Sequence, residues 1–130
     1  DPDDQLFCPT VLEDVAFGPL NLGKSRTEAL QIAKDTLASL GMAGFEERIT
    51  HQLSGGEKRM ITLAAVLAME PDVLLLDEPS NALDVKARQR LIDTLLSLPQ
   101  AMVIVSHDAD LVDQLSTREL RLENAALTDI

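Results

Sequence analysis

An α/β fold, with a helical region over residues 1–70 and a partial parallel sheet over residues 71–130, is predicted by three observations. Residues 1–70 carry helix-capping patterns and apolar stripes of helical period. Val73-Leu74-Leu75-Leu76 and Met102-Val103-Ile104-Val105 are short, uninterrupted, β-rich apolar runs, as expected of parallel strands covered on both faces. Between them, Lys86 to Leu98 is patterned as a helix, which makes the pair a βαβ unit. With 130 residues, 45% of them hydrophobic, the chain is long enough to bury one core, and no repeat or flexible linker divides it.

Taken in order, Val11, Leu12, Val15, Ala16 and Phe17 follow Pro9-Thr10 with helical spacing, and Glu13 and Asp14 lie opposite. Gly18-Pro19 and then Gly23 are predicted to break this helix. Ser25-Arg26-Thr27-Glu28 is a capping-box pattern, in which the hydroxyl accepts an orphan backbone N–H and Glu28 reaches back. Leu30, Ala33, Leu37 and Leu40 then form one stripe, closed by Gly41. Ser54 and Glu57 make a second capping box, and their helix turns apolar almost all round from Ile61 to Met69, so its far end is expected to be buried before Glu70-Pro71 stops it. Asp108 to Leu115 is patterned as a helix, and Arg118 to Glu123 with Ala126 to Ile130 as a hairpin turning at Glu123-Asn124.

Eleven basic against 22 acidic residues give a formal charge of -11, which repels a phosphate backbone and argues against nucleic acid as a partner. The single cysteine, Cys8, cannot form an internal disulfide, and His51 and His107 are too far apart in sequence for a recognisable zinc-ligand spacing, so the cytosol is the default compartment. The longest apolar stretch, Ile61 to Met69, is about half of the roughly 20 residues that span a bilayer. Any link to a membrane is therefore expected to run through a partner.

A helix N-terminus presents unpaired N–H groups and partial positive charge, so Ser54 with the side-chain-free Gly55 and Gly56 can let a phosphate approach the backbone. The same pattern also describes a plain capped helix after a tight turn. Asp77 and Glu78 end an apolar strand, where open α/β sheets place ligand chemistry, and adjacent carboxylates can divide metal holding from proton removal. Alone, such a pair is an ordinary polar loop; it gains specificity from the phosphate-type helix start upstream and from Ser106-His107-Asp108 after the next strand. There His107 can offer an imidazole to a phosphate oxygen or cap the following helix, a task Ser106 or Asp108 could perform equally well. No stretch fits the G-x-x-x-x-G-K-[ST] phosphate loop. Asp1, Asp3 and Asp4 lack the Gly and bidentate Glu of a calcium loop and read as a solvated turn, and Cys8 beside Pro9 reads as inert.

In order and spacing, these motifs resemble those of an ABC transporter ATPase subunit, and the chain resembles its C-terminal half or slightly more. Leu53 to Glu57 resemble the LSGGQ signature, Val73 to Glu78 the Walker B motif, Ser80-Asn81-Ala82-Leu83-Asp84 the D-loop, and His107 the switch histidine. Asp3-Asp4-Gln5-Leu6-Phe7, Thr10-Val11 and Glu13 to Pro19 resemble the stretch after the Q-loop in energy-coupling ATPases of cobalt, nickel and vitamin importers. Two departures are Glu57 in place of the usual Gln and Asn81 in place of a small residue.

The resemblance implies a P-loop NTPase-like ABC ATPase fold whose phosphate-loop strand, Q-loop and adenine-stacking aromatic lie before Asp1. The start at Asp1-Pro2-Asp3-Asp4, without Met, leads to the same expectation of a piece cut from a longer protein. It further implies ATP and Mg2+ as cofactors, with Asp77 holding the metal, Glu78 polarising the attacking water and His107 contacting the γ-phosphate. Ser54, Gly55 and Gly56 would clamp nucleotide bound by a second ATPase subunit in a head-to-tail dimer, and Ser80 and Asp84 would line the seam. A transmembrane permease subunit is the other implied partner, which would place the protein peripherally on the cytoplasmic face of the membrane. Because the phosphate loop, its Lys and Mg2+ supply most of the charge stabilisation in such chemistry, the chain alone is expected to be inactive. A carboxylate near a triphosphate would repel it, so Glu57 is expected to turn back and cap its own helix. A reading from another class is a non-catalytic interaction module that docks a membrane partner through Pro9 to Leu20. An ABC protein of DNA repair or translation is disfavoured by the charge.

Overall fold

The computed structural model describes residues 9–129. The readings of Asp1, Asp3, Asp4, Gln5 and Cys8, and the last residue of the hairpin, lie outside them. Helix α1 (Val11–Asn21) starts at Thr10, whose hydroxyl accepts the Glu13 N–H at 3.2 Å. The predicted break at Gly18-Pro19 does not occur, and α1 runs through both residues. Pro19 removes one ladder hydrogen bond, but its ring is fully buried, and Gly18 lies so close to Met69 that an added Cβ would fall 2.6 Å from its Cγ. Tertiary packing thus carries the helix past a local stop signal.

Helix α2 (Arg26–Ser39) shows only the hydroxyl half of its predicted capping box: Ser25 Oγ accepts the Glu28 N–H at 3.2 Å. Gly41, at φ 74, ends the helix in a left-handed turn that sends the Met42 N–H back to the Leu37 carbonyl at 2.8 Å. A short 3-10 turn (Thr50–Gln52) leads to α3 (Gly55–Leu67), and a bridge between Thr10 and Ile49 ties that connection to the start of α1. The three helices enclose Val11, Val15, Ala33, Leu37, Met42, Ile61 and Leu63. The far end of α3 is buried on one side only, through Ala64 and Ala68, while Val66 and Met69 reach the surface.

Strand β1 (Val73–Asp77) and strand β2 (Ala101–Val105) pair in parallel, from Val73 opposite Ala101 to Asp77 opposite Val105, and α4 (Val85–Ser97) makes the crossover. This is the predicted βαβ unit. Leu74 joins Leu91 and Leu95 of α4 in the same core as the helical region. The expectation that both faces are covered fails: Val73, Leu75, Val103 and Val105 are exposed, Leu75 by 78%. Among the described residues nothing packs on that face, so an apolar run suited to double burial is buried by alternate residues only. Helix α5 (Ala109–Leu115) precedes an antiparallel hairpin of β3 (Leu120–Glu123) and β4 (Ala126–Asp129). Its two-residue turn is Asn124-Ala125, one position later than predicted, with φ 49 and 62, the left-handed pair whose twist matches that of the strands.

Candidate functional site

Two chain segments carry the candidate residues: the start of α3 and the loops that leave β1 and β2. At the first, Ser54 and Glu57 form a complete capping box. Ser54 Oγ accepts the Glu57 N–H at 3.1 Å, and Glu57 Oε1 accepts the Ser54 N–H at 3.0 Å. Glu57 turns back onto its own helix, as the repulsion argument required. Its carboxylate also accepts from Arg48, Nη1 to Oε2 at 3.0 Å and Nη2 to Oε1 at 3.4 Å. The Ser54 N–H and then Arg48 hold its pKa below the usual carboxylate range.

The two glycines differ. A Cβ on Gly55 would meet no other atom within 4 Å, so this side of the helix start is open to a ligand. A Cβ on Gly56 would fall 2.7 Å from Ala87 Cβ, so Gly56 is bare because α3 and the start of α4 nearly touch. Phosphate approach alone therefore does not account for both glycines.

At the end of β1, Asp77 is exposed, and its carboxylate has no hydrogen-bond partner among the described residues. Glu78 adopts φ 47 and donates its N–H to the Val105 carbonyl at 2.7 Å, which holds the loop across the end of β2. Its Oε2 accepts the His107 N–H at 3.2 Å, and its Oε1 bonds His107 Nδ1. The fold thus joins a carboxylate and an imidazole at the carboxyl ends of two parallel strands, where open α/β sheets bind ligands. The His107 side chain is 96% exposed, so apart from the bond to Glu78 its ring faces solvent.

Ser80 and Asp84 are engaged within the chain. Buried Ser80 donates its hydroxyl to Asp108 Oδ2 at 2.9 Å, and Asp84 Oδ1 accepts the Ala87 N–H at 2.8 Å as the cap of α4. Asp108 also accepts Arg88 Nε at 2.5 Å, Arg88 Nη2 at 2.7 Å and the Leu111 N–H at 3.1 Å. The cap of α5 is therefore Asp108, which leaves His107 free of that task. Arg88 foremost, then the Leu111 N–H and the Ser80 hydroxyl, hold Asp108 well below the usual carboxylate range, and Arg88 is correspondingly raised.

The two segments are linked by Arg59 of α3, which donates to the carbonyls of Glu78 at 3.4 Å and Asn81 at 3.1 Å. Sequence reasoning missed Arg48, Arg59 and Arg88. Each meets its partner across at least nine positions, and no local period or cap marks such a pairing. Among the described residues no group of three or more His, Cys, Asp or Glu side chains could hold a metal by themselves. Asp77 alone suits Mg2+, which commonly takes one or two carboxylates and completes its shell with water and substrate phosphates. An N–H-rich helix start is suited to holding an anion, and a carboxylate–imidazole pair beside a free carboxylate to the chemistry of a phosphoanhydride bound at the strand ends.

The chain is similar to known proteins. The family model described as ABC transporter matches residues 3–81. The chain is 57% identical over 126 residues to a Brucella suis protein named as an ABC transporter ATP-binding protein, covering 97% of this chain and 53% of that one. It is 43% identical over 129 residues to the energy-coupling factor transporter ATP-binding protein EcfA of Methanothermobacter thermautotrophicus, covering 97% and 42%. Among solved structures, CbiO1 from Clostridium perfringens, part of the ABC transporter complex CbiONQ, superposes with a TM-score of 0.82 at 32% identity over 98% of this chain and 53% of that one. The chain spans about half the length of the curated relatives it matches.

Proposed function

The chain belongs to the ABC transporter ATP-binding family, and from that premise we propose that the whole protein hydrolyses ATP to drive import of a metal ion, cobalt or nickel, or of a vitamin. The observation that carries the hydrolytic part is the Glu78–His107 pair at the strand ends, beside the free carboxylate of Asp77. Asp77 would hold Mg2+, which when bound offsets the charge of the triphosphate. Glu78 polarises the attacking water, and His107, whose ring faces solvent, contacts the γ-phosphate. Ser54 and the open side of Gly55 receive nucleotide held by a second ATPase subunit in a head-to-tail dimer, while Gly56 keeps α3 against α4. Ser80 and Asp84 act at the seam by shaping its loop, through Asp108 and the α4 cap.

In this reading residues 1–70 form the helical subdomain and residues 71–130 part of the α/β core. The import assignment is supported by the similarity to EcfA and CbiO1 and by the importer-like stretch around Thr10 to Pro19. By the same similarity a transmembrane permease subunit is the second partner; no described helix is long and apolar enough to cross a membrane. In this reading the protein works peripherally, on the cytoplasmic face of the membrane. Exposed Phe17, Leu20 and Leu22 on and after α1, with Met69 beyond α3, favour one further possibility, a docking module without catalysis.

The deciding experiment compares the chain as given with the same chain extended N-terminally by a strand, a phosphate loop and a helix. Mg-ATP turnover is expected only in the extended protein, with a loss of about a hundredfold or more in Glu78→Gln while ATP is still bound. Turnover in neither form would favour the docking module. Robust turnover by the chain as given, lost in Glu78→Gln, would overturn the proposed division of labour.

A further inference from the structure

The signature stretch of this chain carries Glu57, in place of the usual Gln, next to the surface proposed to receive a triphosphate, and the structure shows how that charge is contained. Both carboxylate oxygens are occupied: Oε1 accepts from the Ser54 N–H and Arg48 Nη2, and Oε2 accepts from Arg48 Nη1. Arg48 is itself held in place. Its guanidinium lies 4.6 Å from the Phe45 ring centroid, its N–H donates to the Phe45 carbonyl at 3.0 Å, and its carbonyl accepts the Val11 N–H from the first turn of α1 at 2.8 Å. The pair is partly shielded, with side-chain exposures of 44% and 25%.

We propose that Arg48 is a positioning residue for nucleotide binding: it neutralises Glu57 and keeps that carboxylate turned away from the open side of Gly55, so that a signature with Glu can accept a triphosphate. The inference rests on the proposed role of Ser54 and Gly55 and names a residue on which that role depends. Arg48 acts through Glu57, and its effect disappears when residue 57 carries no charge.

The test is a cycle of Arg48→Gln and Glu57→Gln in the extended protein, with steady-state ATP hydrolysis measured at low and high salt. An uncompensated charge close to the phosphates, moderated by solvent and salt, is expected to raise the ATP KM about fivefold at low salt, less at high salt, and to move kcat by less than about twofold. In the Glu57→Gln background the same change should move KM by less than about twofold. No rise in KM, or an equal rise in both backgrounds, would overturn the proposal and leave Arg48 a packing residue over Phe45. Should Arg48→Gln not fold, Arg48→Lys carries the same test, since it keeps a charge but loses the two-pronged bond; an intermediate KM shift that vanishes with Glu57→Gln supports the proposal, and one that persists refutes it. Inactivity of the unaltered extended protein would sink the nucleotide reading itself. Activity of that protein with no coupling between the two residues would sink this inference alone.

Discussion

Replacing each signature glycine with alanine separates packing from ligand access. Gly55 and Gly56 occupy the first two positions of α3, and neither has a positive φ, so alanine is conformationally acceptable at both. Alanine should stabilise a helix interior by roughly 0.5–1 kcal/mol relative to glycine, and by less at the first turn. At position 55 the new methyl meets no other atom within 4 Å, so stability is expected to be unchanged or slightly raised. At position 56 it lies 2.7 Å from Ala87 Cβ, an atom fixed to a helix backbone that cannot rotate aside. Forcing that contact costs roughly 1–3 kcal/mol, so the net loss should be about 1–2 kcal/mol. The chain has no Trp or Tyr, which makes circular dichroism the suitable probe for urea denaturation of both variants. In the Ala87→Gly background, which removes the opposing methyl, the cost of Gly56→Ala should largely vanish. Equal stability of the two single variants, or a Gly56→Ala cost that Ala87→Gly leaves unchanged, would refute the packing argument. Gly55→Ala should instead weaken nucleotide-dependent association of the extended protein without loss of fold.

Two further outcomes are expected. The exposed Leu75, Val103 and Val105 face and the open edges of the two-stranded β1–β2 sheet should make the chain as given self-associate, less so in a Leu75→Glu, Val103→Lys variant; sedimentation showing a clean monomer of the unaltered chain would contradict this. Because Arg88 lowers the Asp108 pKa below that of an unfolded carboxylate, the stability from their pairing is fully present above about pH 4 and is lost as pH falls from there toward the depressed folded value. The difference in melting temperature between the unaltered protein and Arg88→Leu should therefore narrow as pH is lowered from 7 to below about 4, and a difference independent of pH would count against an ionic role for the pair.

The signals that succeeded in the sequence are local ones. Ser25 and Ser54, read as caps from the sequence, accept the N–H three positions on, an interaction a short window contains entirely; Thr10 and Asp84 cap in the same way although the sequence reading gives them no such role. The strands were legible as apolar runs, and their parallel pairing followed from the helix between them. The failures also have local causes. Pro19 is a stop signal that burial overrides, Glu28 has the spacing of a capping box without closing it, and the uninterrupted apolar run of β1 says nothing about which face has a neighbour.

The sequence by itself determined where helices begin, that two apolar strands lie parallel, which residues stand at their carboxyl ends, and the family to which those motifs belong. Only the tertiary structure decided that Glu78 closes onto His107 across 29 positions, that Asp108 gathers Ser80 and Arg88, that Arg48 neutralises Glu57, and that Gly56 is bare because Ala87 lies against it. The division follows from range: caps and periods are settled by neighbours within one or two turns, whereas these pairings depend on how the elements pack together, which no single segment encodes.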